Sequence, residues 1–336
     1  AIMQDSAGVY WISTKGQGLI KAIETSQGNF KLQHFKHKAD DPYSLSNDNI
    51  YFTFQDSRQR LWVATYGGGL NLIETMPDGT LRFINHRNLL KRYPISHFYK
   101  VRHITEDNQG RIWVSTTAGI LQFKVSFHCP EEIDFHSICR EQGNVNSLSN
   151  NDVIYTFESK KGEIYIITHS SGLNLVTSKN LLCDNIEFVH LNKQNGLPSD
   201  MAYTMIEGNR NELLISFEYQ ICRYNPDRGS IESYNRFYFH SHLLVSEIPL
   251  VRDDKNGMYV ALNRDVLYLH LDKLNKSSFI PHIVFTNAST GKNNKMGDSS
   301  PIVDQTLTLE KMRGMFRLLL QHWILPLRVI YNMHIV

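Results

Sequence analysis

The sequence predicts an all-β propeller, and three observations predict it. Six segments align along the 336 residues: 4–19 (QDSAGVYWISTKGQGL), 55–70, 106–120, 158–173, 207–221 and 253–267. Their apolar or aromatic centres, at Trp11, Trp62, Trp113, Tyr165, Leu214 and Val260, are 51, 51, 52, 49 and 46 residues apart. Helical periodicity is absent throughout. A period of roughly forty to fifty residues that holds several short strands marks a propeller blade.

Each unit is legible element by element. An apolar strand comes first, as in Ile50 to Phe54 or Val153 to Phe157. An acidic turn follows, such as Asp5-Ser-Ala-Gly8 or Asp107-Asn-Gln-Gly110. Asp and Asn there can bond their own backbone, and Gly supplies positive φ. The second strand carries the large aromatic, whose ring would fill the wedge between neighbouring sheets. It ends in a threonine in four copies, Thr14, Thr65, Thr116 and Thr168. A glycine turn leads to a third strand, and a fourth closes the blade at 32–35, 81–86 or 186–191. The connectors repeat as well: Ser44-Leu-Ser-Asn47 and Ser147-Leu-Ser-Asn150 precede the second and fourth copies, and Gly196 to Asp200 the fifth. Features repeated around a ring are read as architecture, because a site is usually needed once. Trp11, Trp62, Trp113, Tyr165 and the four threonines are therefore structural expectations.

Composition narrows the function classes. The net charge of +2 offers no electrostatic argument for nucleic acid or a membrane surface. No uninterrupted apolar run is long enough for a membrane helix. The first residues lack the pattern of a signal peptide and start inside a repeat, so a piece of a longer chain is expected.

The pattern D-x-x-G-x-[LI]-W-[IV]-x-T-x-x-G-G-L, with SLSN between copies, resembles the regulator-propeller repeats of hybrid two-component sensors of Bacteroidetes. The resemblance covers roughly residues 1–275, and is closest in the first four copies. It implies a non-catalytic periplasmic sensor of glycan fragments, and a seven-bladed parent propeller of which about six four-stranded blades lie here. It also implies a β-sandwich from 276 onward. Strands are expected at Pro281–Thr286, Leu307–Lys311 and Met315–Leu320, with a polar loop at 287–300. From about 319 the chain loses any period, and a frameshift near Leu318 to Leu320 is the expected cause, with a divergent natural tail as the alternative. Such a tail should not be read as an amphipathic anchor.

Candidate chemistry follows from contrasts within the repeat. After the threonine or its equivalent stand Lys15, Tyr66, Thr117, His169, Glu218 and Arg264, one per unit and all different. In a propeller these turns ring one mouth of the channel, where a single ligand can be met from several sides. Tyr43, Tyr66 and Tyr99 could stack on a sugar ring, and Lys15, Glu218 and Arg264 could bond hydroxyls or acidic groups. The ligand-binding set expected here is Lys15, Tyr66, Tyr99, His169, Glu218 and Arg264. A propeller lyase or glycoside hydrolase is the first alternative. It needs two carboxylates across the channel, and the ring supplies only Glu218. A protein-docking scaffold is the second.

No cofactor or metal is expected. The acids of the D-x-x-G turns lie one per blade rather than clustered for calcium. Cys129, His136 and Cys139 match no zinc spacing, which leaves a disulfide or free thiols there. Cys183 and Cys222 read as small buried residues. His34, His37, His86, His190, His240 and His242 read as packing residues of outer strands. The expected partner is a glycan or other small molecule, with signalling through a change in dimer or interdomain geometry.

Overall fold

A computed structural model describes residues 1–275 except 27, 182–185 and 240–242, and the backbone of four later strands (284–292, 295–301, 315–324 and 327–335). Two compact units divide at Leu274/Asn275.

The first unit is a six-bladed β-propeller. Each blade is an antiparallel sheet whose strands pair in chain order. The innermost strands are Ile2–Gln4, Ile50–Gln55, Val101–Glu106, Val153–Glu158, Ala202–Glu207 and Val251–Arg252. Blades 1 to 5 have four strands, whereas blade 6 has three among the described residues (Val251–Arg252, Gly257–Ala261 and Val266–His270). There a 3₁₀ turn at Leu271–Lys273 follows the third strand, near the end of the unit.

The aromatic of the second strand fills the gap between sheets. Trp11 packs with Leu45, Ile50 and Val63 of blade 2. Trp62 meets Ile104, Ile112 and Val114 of blade 3. Trp113 meets Val153, Ile164 and Ile166 of blade 4. Tyr165 and Leu214 do the same toward blades 5 and 6. Trp62 and Trp113 are fully buried.

The turn aspartate does more than close its turn. Asp5, Asp56 and Asp107 each accept the indole N–H of the tryptophan six residues on, at 2.8, 2.9 and 2.8 Å. Where the aspartate is lost the tryptophan goes too. Blade 4 has Ser159 with Tyr165, which donates to Glu163, and blade 5 has Gly208 with Leu214. The residue before the turn crosses to the preceding blade. Gln55 accepts from the Ser6 amide, Glu106 from Ser57, Glu158 from Asn108 and Glu207 from Lys160. At the last interface Arg252 replaces the acceptor, and it donates to the carbonyls of Glu207 and Gly208 and to Asn209. Burial between blades raises the Glu158 carboxyl above its ordinary range.

Threonine and glycine shape the next turn. Thr14, Thr65, Thr116 and Thr168 donate to the carbonyls of Gly18, Gly69, Gly119 and Gly172. Gly172 has φ of 75°, and a Cβ there would lie 2.4 Å from the Leu191 carbonyl oxygen on the outer strand. Only glycine meets both conditions.

SLSN is a brace between connector and sheet. Leu45 and Leu148 are fully buried. The Ser46 and Ser149 amides donate to the side chains of Asn71 and Asn174, at 3.0 and 2.9 Å. Asn71 also donates to Ser46 Oγ and accepts from Asn85. Blade 3 lacks SLSN and carries Leu121 where blades 2 and 4, which have it, carry asparagine. Asn71→Ala should cost about 2–3 kcal/mol, since it strands a buried amide and hydroxyl. Urea unfolding measures this, and a loss below about 0.5 kcal/mol would mean that Ser46 finds another partner.

Among the described residues five buried clusters join blades, each linking consecutive ones. No such cluster joins blade 6 to blade 1 among the described residues. Ile2, Phe30 and Leu32 are exposed on blade 1, and Val251, Tyr259, Val266 and Tyr268 on blade 6.

In the second unit, strands Val284–Lys292, Lys295–Pro301, Met315–Ile324 and Leu327–Ile335 form one antiparallel sheet. The polar stretch 287–300 is therefore largely paired strand rather than a loop, with Lys292 opposite Lys295. Its Gly291-Lys-Asn-Asn sequence suits a hairpin as well as a loop. The strand expected at Leu307–Lys311 lies outside the described residues.

Candidate functional site

The innermost strands surround a cavity of about 560 Å³ on the propeller axis. Blades 2 to 5 carry the same irregularity there. The ladder steps from Ile50 to Phe52, from Val101 to His103, from Val153 to Tyr155, and past Tyr203 in blade 5. Tyr51, Arg102, Ile154 and Tyr203 are thus left out of the pairing, and all four line the cavity. A bulge re-aims a side chain without changing the fold. The repeat uses it to present one side chain from each of these blades.

A second tier follows the bulges. Phe52, His103 and Tyr155 lie ring against ring, with centroids 4.5 and 4.0 Å apart. His103 is 6% exposed, and its Nδ1 has no hydrogen-bond partner among the described residues. Burial lowers its pKa to about 3, so the ring is neutral at pH 7. Burial likewise raises Tyr155 to about 12.

Of the turn ring, Lys15 and Glu218 line the cavity. Tyr66 sits one ring behind, stacked on Tyr51 at 4.6 Å and 19°. Thr117 and His169 do not line it. The His169 ring instead meets Ser170 Oγ at 3.1 Å. Tyr99 is exposed, and its carbonyl receives the Gly67 and Gly69 amides. Tyr43 runs beside the outer strand of blade 2, where its carbonyl receives the Phe83 amide. Arg264 is corrected to Asn263. The turn of blade 6 closes from the Asp253 amide to the Gly257 carbonyl, as that of blade 2 closes from Asp56 to Arg60. That register puts Tyr259, not Val260, in the tryptophan position. Asn263 then donates its amide to Leu244 as Tyr66 does to Asn49, and it lines the cavity.

Sequence reasoning missed the innermost strands. The comparison made on the turns, applied to IYFTF, VRHIT, VIYTF and AYTMI, would have found variation at the two positions that reach the axis. It also missed Glu247, a second carboxylate of the wall, which lies 4.0 Å from the Arg102 guanidinium. Arg102 is held more closely by Asp152, at 3.1 Å.

The thiols of Cys129 and Cys139 are free, and Cys139 donates to the Ala118 carbonyl. Cys222 is buried. His37 and His190 bond the Leu45 and Ser147 carbonyls. Cys183, His240 and His242 lie outside the described residues. Among the described residues no cluster of His, Cys, Asp or Glu is placed to hold a metal ion.

Comparison with known proteins shows what these features are similar to. Residues 44–67 and 98–118 match the model of the two component regulator propeller. Histidine kinase P4 of Formosa agariphila is 28% identical over 249 residues, which are 71% of this chain and 17% of that protein. The extracellular domain of a B. thetaiotaomicron protein described as a one component system superposes with a TM-score of 0.57 at 14% identity, covering 100% of this chain and 55% of the other. Virginiamycin B lyase of Staphylococcus aureus superposes with a TM-score of 0.52 at 12% identity, covering 81% and 84%. At these identities the structural likeness is one of fold. The chain spans 17% of the curated kinase and about half of the extracellular domain.

Proposed function

We propose that this chain, built of two-component regulator propeller repeats, is the extracytoplasmic ligand-sensing region of a hybrid two-component system, and that its ligand is an oligosaccharide in the periplasm. The observation that carries the reading is the set of bulges. Four equivalent residues, Tyr51, Arg102, Ile154 and Tyr203, leave the ladder to line one cavity. Tyrosine faces suit the apolar faces of sugar rings, and Lys15, Glu218, Asn263 and His103 suit their hydroxyls. The resemblance to a histidine kinase supports a signalling parent. Ligand binding would shift that parent between two geometries by favouring one of them.

Calorimetry against a panel of glycan fragments, with product analysis of the same mixtures, tests the reading. Saturable heat without product is expected. Tyr51→Ala and Tyr203→Ala should each weaken binding about tenfold, the scale of one lost stacking contact with its buried area. Turnover would favour the enzyme reading, for which Glu218 and Glu247 are the two acids at hand. Silence toward glycans together with capture of a protein would favour a scaffold.

A further inference from the structure

Two ammonium groups flank a tyrosine pair at one side of the cavity, Lys15 in its lining and Lys100 behind it. Tyr51 and Tyr66 form a stacked pair. Lys15 Nζ lies 4.8 Å from the Tyr51 centroid, Lys100 Nζ lies 5.1 Å from that of Tyr66, and the Arg102 guanidinium lies 5.8 Å from the same ring. Arg102 is paired with Asp152. Lys15 and Lys100 make no ion pair or side-chain hydrogen bond among the described residues. The acids of the wall, Glu218 and Glu247, come instead from blade 5 and the segment leading into blade 6. Arg102 is thus balanced by Asp152 and by Glu247, at 3.1 and 4.0 Å, whereas Lys15 and Lys100 are the charges left uncompensated beside the tyrosine pair. The Nδ1 of His103, without a partner among the described residues, adds a buried polar atom to the same wall.

We infer that the ligand is an anionic saccharide, with a carboxylate or sulfate drawn to the Lys15–Lys100 corner and a sugar ring against Tyr51. This rests on the saccharide reading above and narrows it. A neutral sugar would leave the Lys15 ammonium group of the lining, and that of Lys100 beside Tyr66, without a counter-charge. An anion supplies it, and charge-assisted hydrogen bonds are the stronger kind.

The test is calorimetry of the full chain with trigalacturonate, a sulfated chondroitin disaccharide and maltotriose as the neutral control. Binding is expected with an acidic probe and not with maltotriose, and the two acidic probes separate carboxylate from sulfate. Lys15→Met and Lys100→Met, which keep most of the aliphatic stem, should each weaken acidic binding about tenfold, the equivalent of one charge-assisted hydrogen bond. Their melting curves should stay at the wild-type position. Maltotriose binding as tightly as the acids, or lysine variants that bind unchanged, would overturn the anionic assignment and leave the saccharide reading standing. Silence toward all three probes, with binding to none of the glycan panel, would overturn both.

Discussion

Asp107→Ala is expected to destabilise the propeller by about 3–5 kcal/mol, the usual range for breaking a buried ion pair from one side. The carboxylate has four donors to lose. Oδ2 accepts from the Trp113 indole at 2.8 Å and from Arg111 Nε at 2.6 Å. Oδ1 accepts the backbone amides of Gln109 and Arg111, both at 3.0 Å. Arg111 is itself buried, so the substitution leaves a guanidinium in the interior without its counter-ion. It also leaves the indole of a fully buried tryptophan unpaired at the blade 3–4 interface. Asp107→Asn keeps the shape and one acceptor, and should cost less than alanine. Chemical unfolding of the two variants measures the difference. Equal and small losses would show that the aspartate serves the turn alone.

His103→Phe should act in the opposite direction. The phenyl ring can continue the stack with Phe52 and Tyr155, and it removes a nitrogen that lacks a partner. Relief of an unsatisfied buried group amounts to about 1–3 kcal/mol, so the ligand-free protein should melt higher at pH 7. The pH dependence should change as well. The histidine titrates near 6.5 in the unfolded chain and near 3 in the fold. Between these values the unfolded state binds the extra proton, so wild-type stability falls as the pH drops through that window. His103→Phe should flatten the histidine's share of this slope while abolishing saccharide heat. A variant that melts lower than wild type at pH 7 would mean that the nitrogen is satisfied structurally. His103→Leu, of similar bulk and without ring or nitrogen, separates loss of the stack from loss of the polar atom.

The residues differ in how much of this they announce. Trp62, Thr65 and Gly69 stand at fixed offsets in strong copies, so periodicity alone assigns them. The hydrogen bond from indole to turn aspartate is hidden because the two residues are also separately explicable, one as core and one as turn. Blade 6 shows a sharper limit. With tryptophan and threonine both gone, Tyr259 and Val260 compete for one position. A slip of a single residue sends side chains to the opposite face of the strand. The same slip exchanges Asn263 for Arg264 at the ligand ring. The bulges at Tyr51, Arg102, Ile154 and Tyr203 leave no mark in composition, because they are a property of how two backbones pair.

The lack of a cluster joining blade 6 to blade 1 among the described residues has a kinetic consequence. In a stack of repeats, stability is close to a sum over neighbours, and an end repeat has one neighbour. The molecule should therefore fray from its ends like a zipper. Amides of Tyr10–Ser13 and Gly257–Ala261 should exchange with solvent through small openings, and those of Arg111–Thr116 and Ile164–Thr168 only through larger ones. Lys15 and Asn263 ride on the two fraying blades, while Tyr51, Arg102 and Ile154 ride on the firm ones. A ligand that bridges them would clip the ends together, and its arrival should be read most plainly as slowed exchange at the two extremities rather than at the centre.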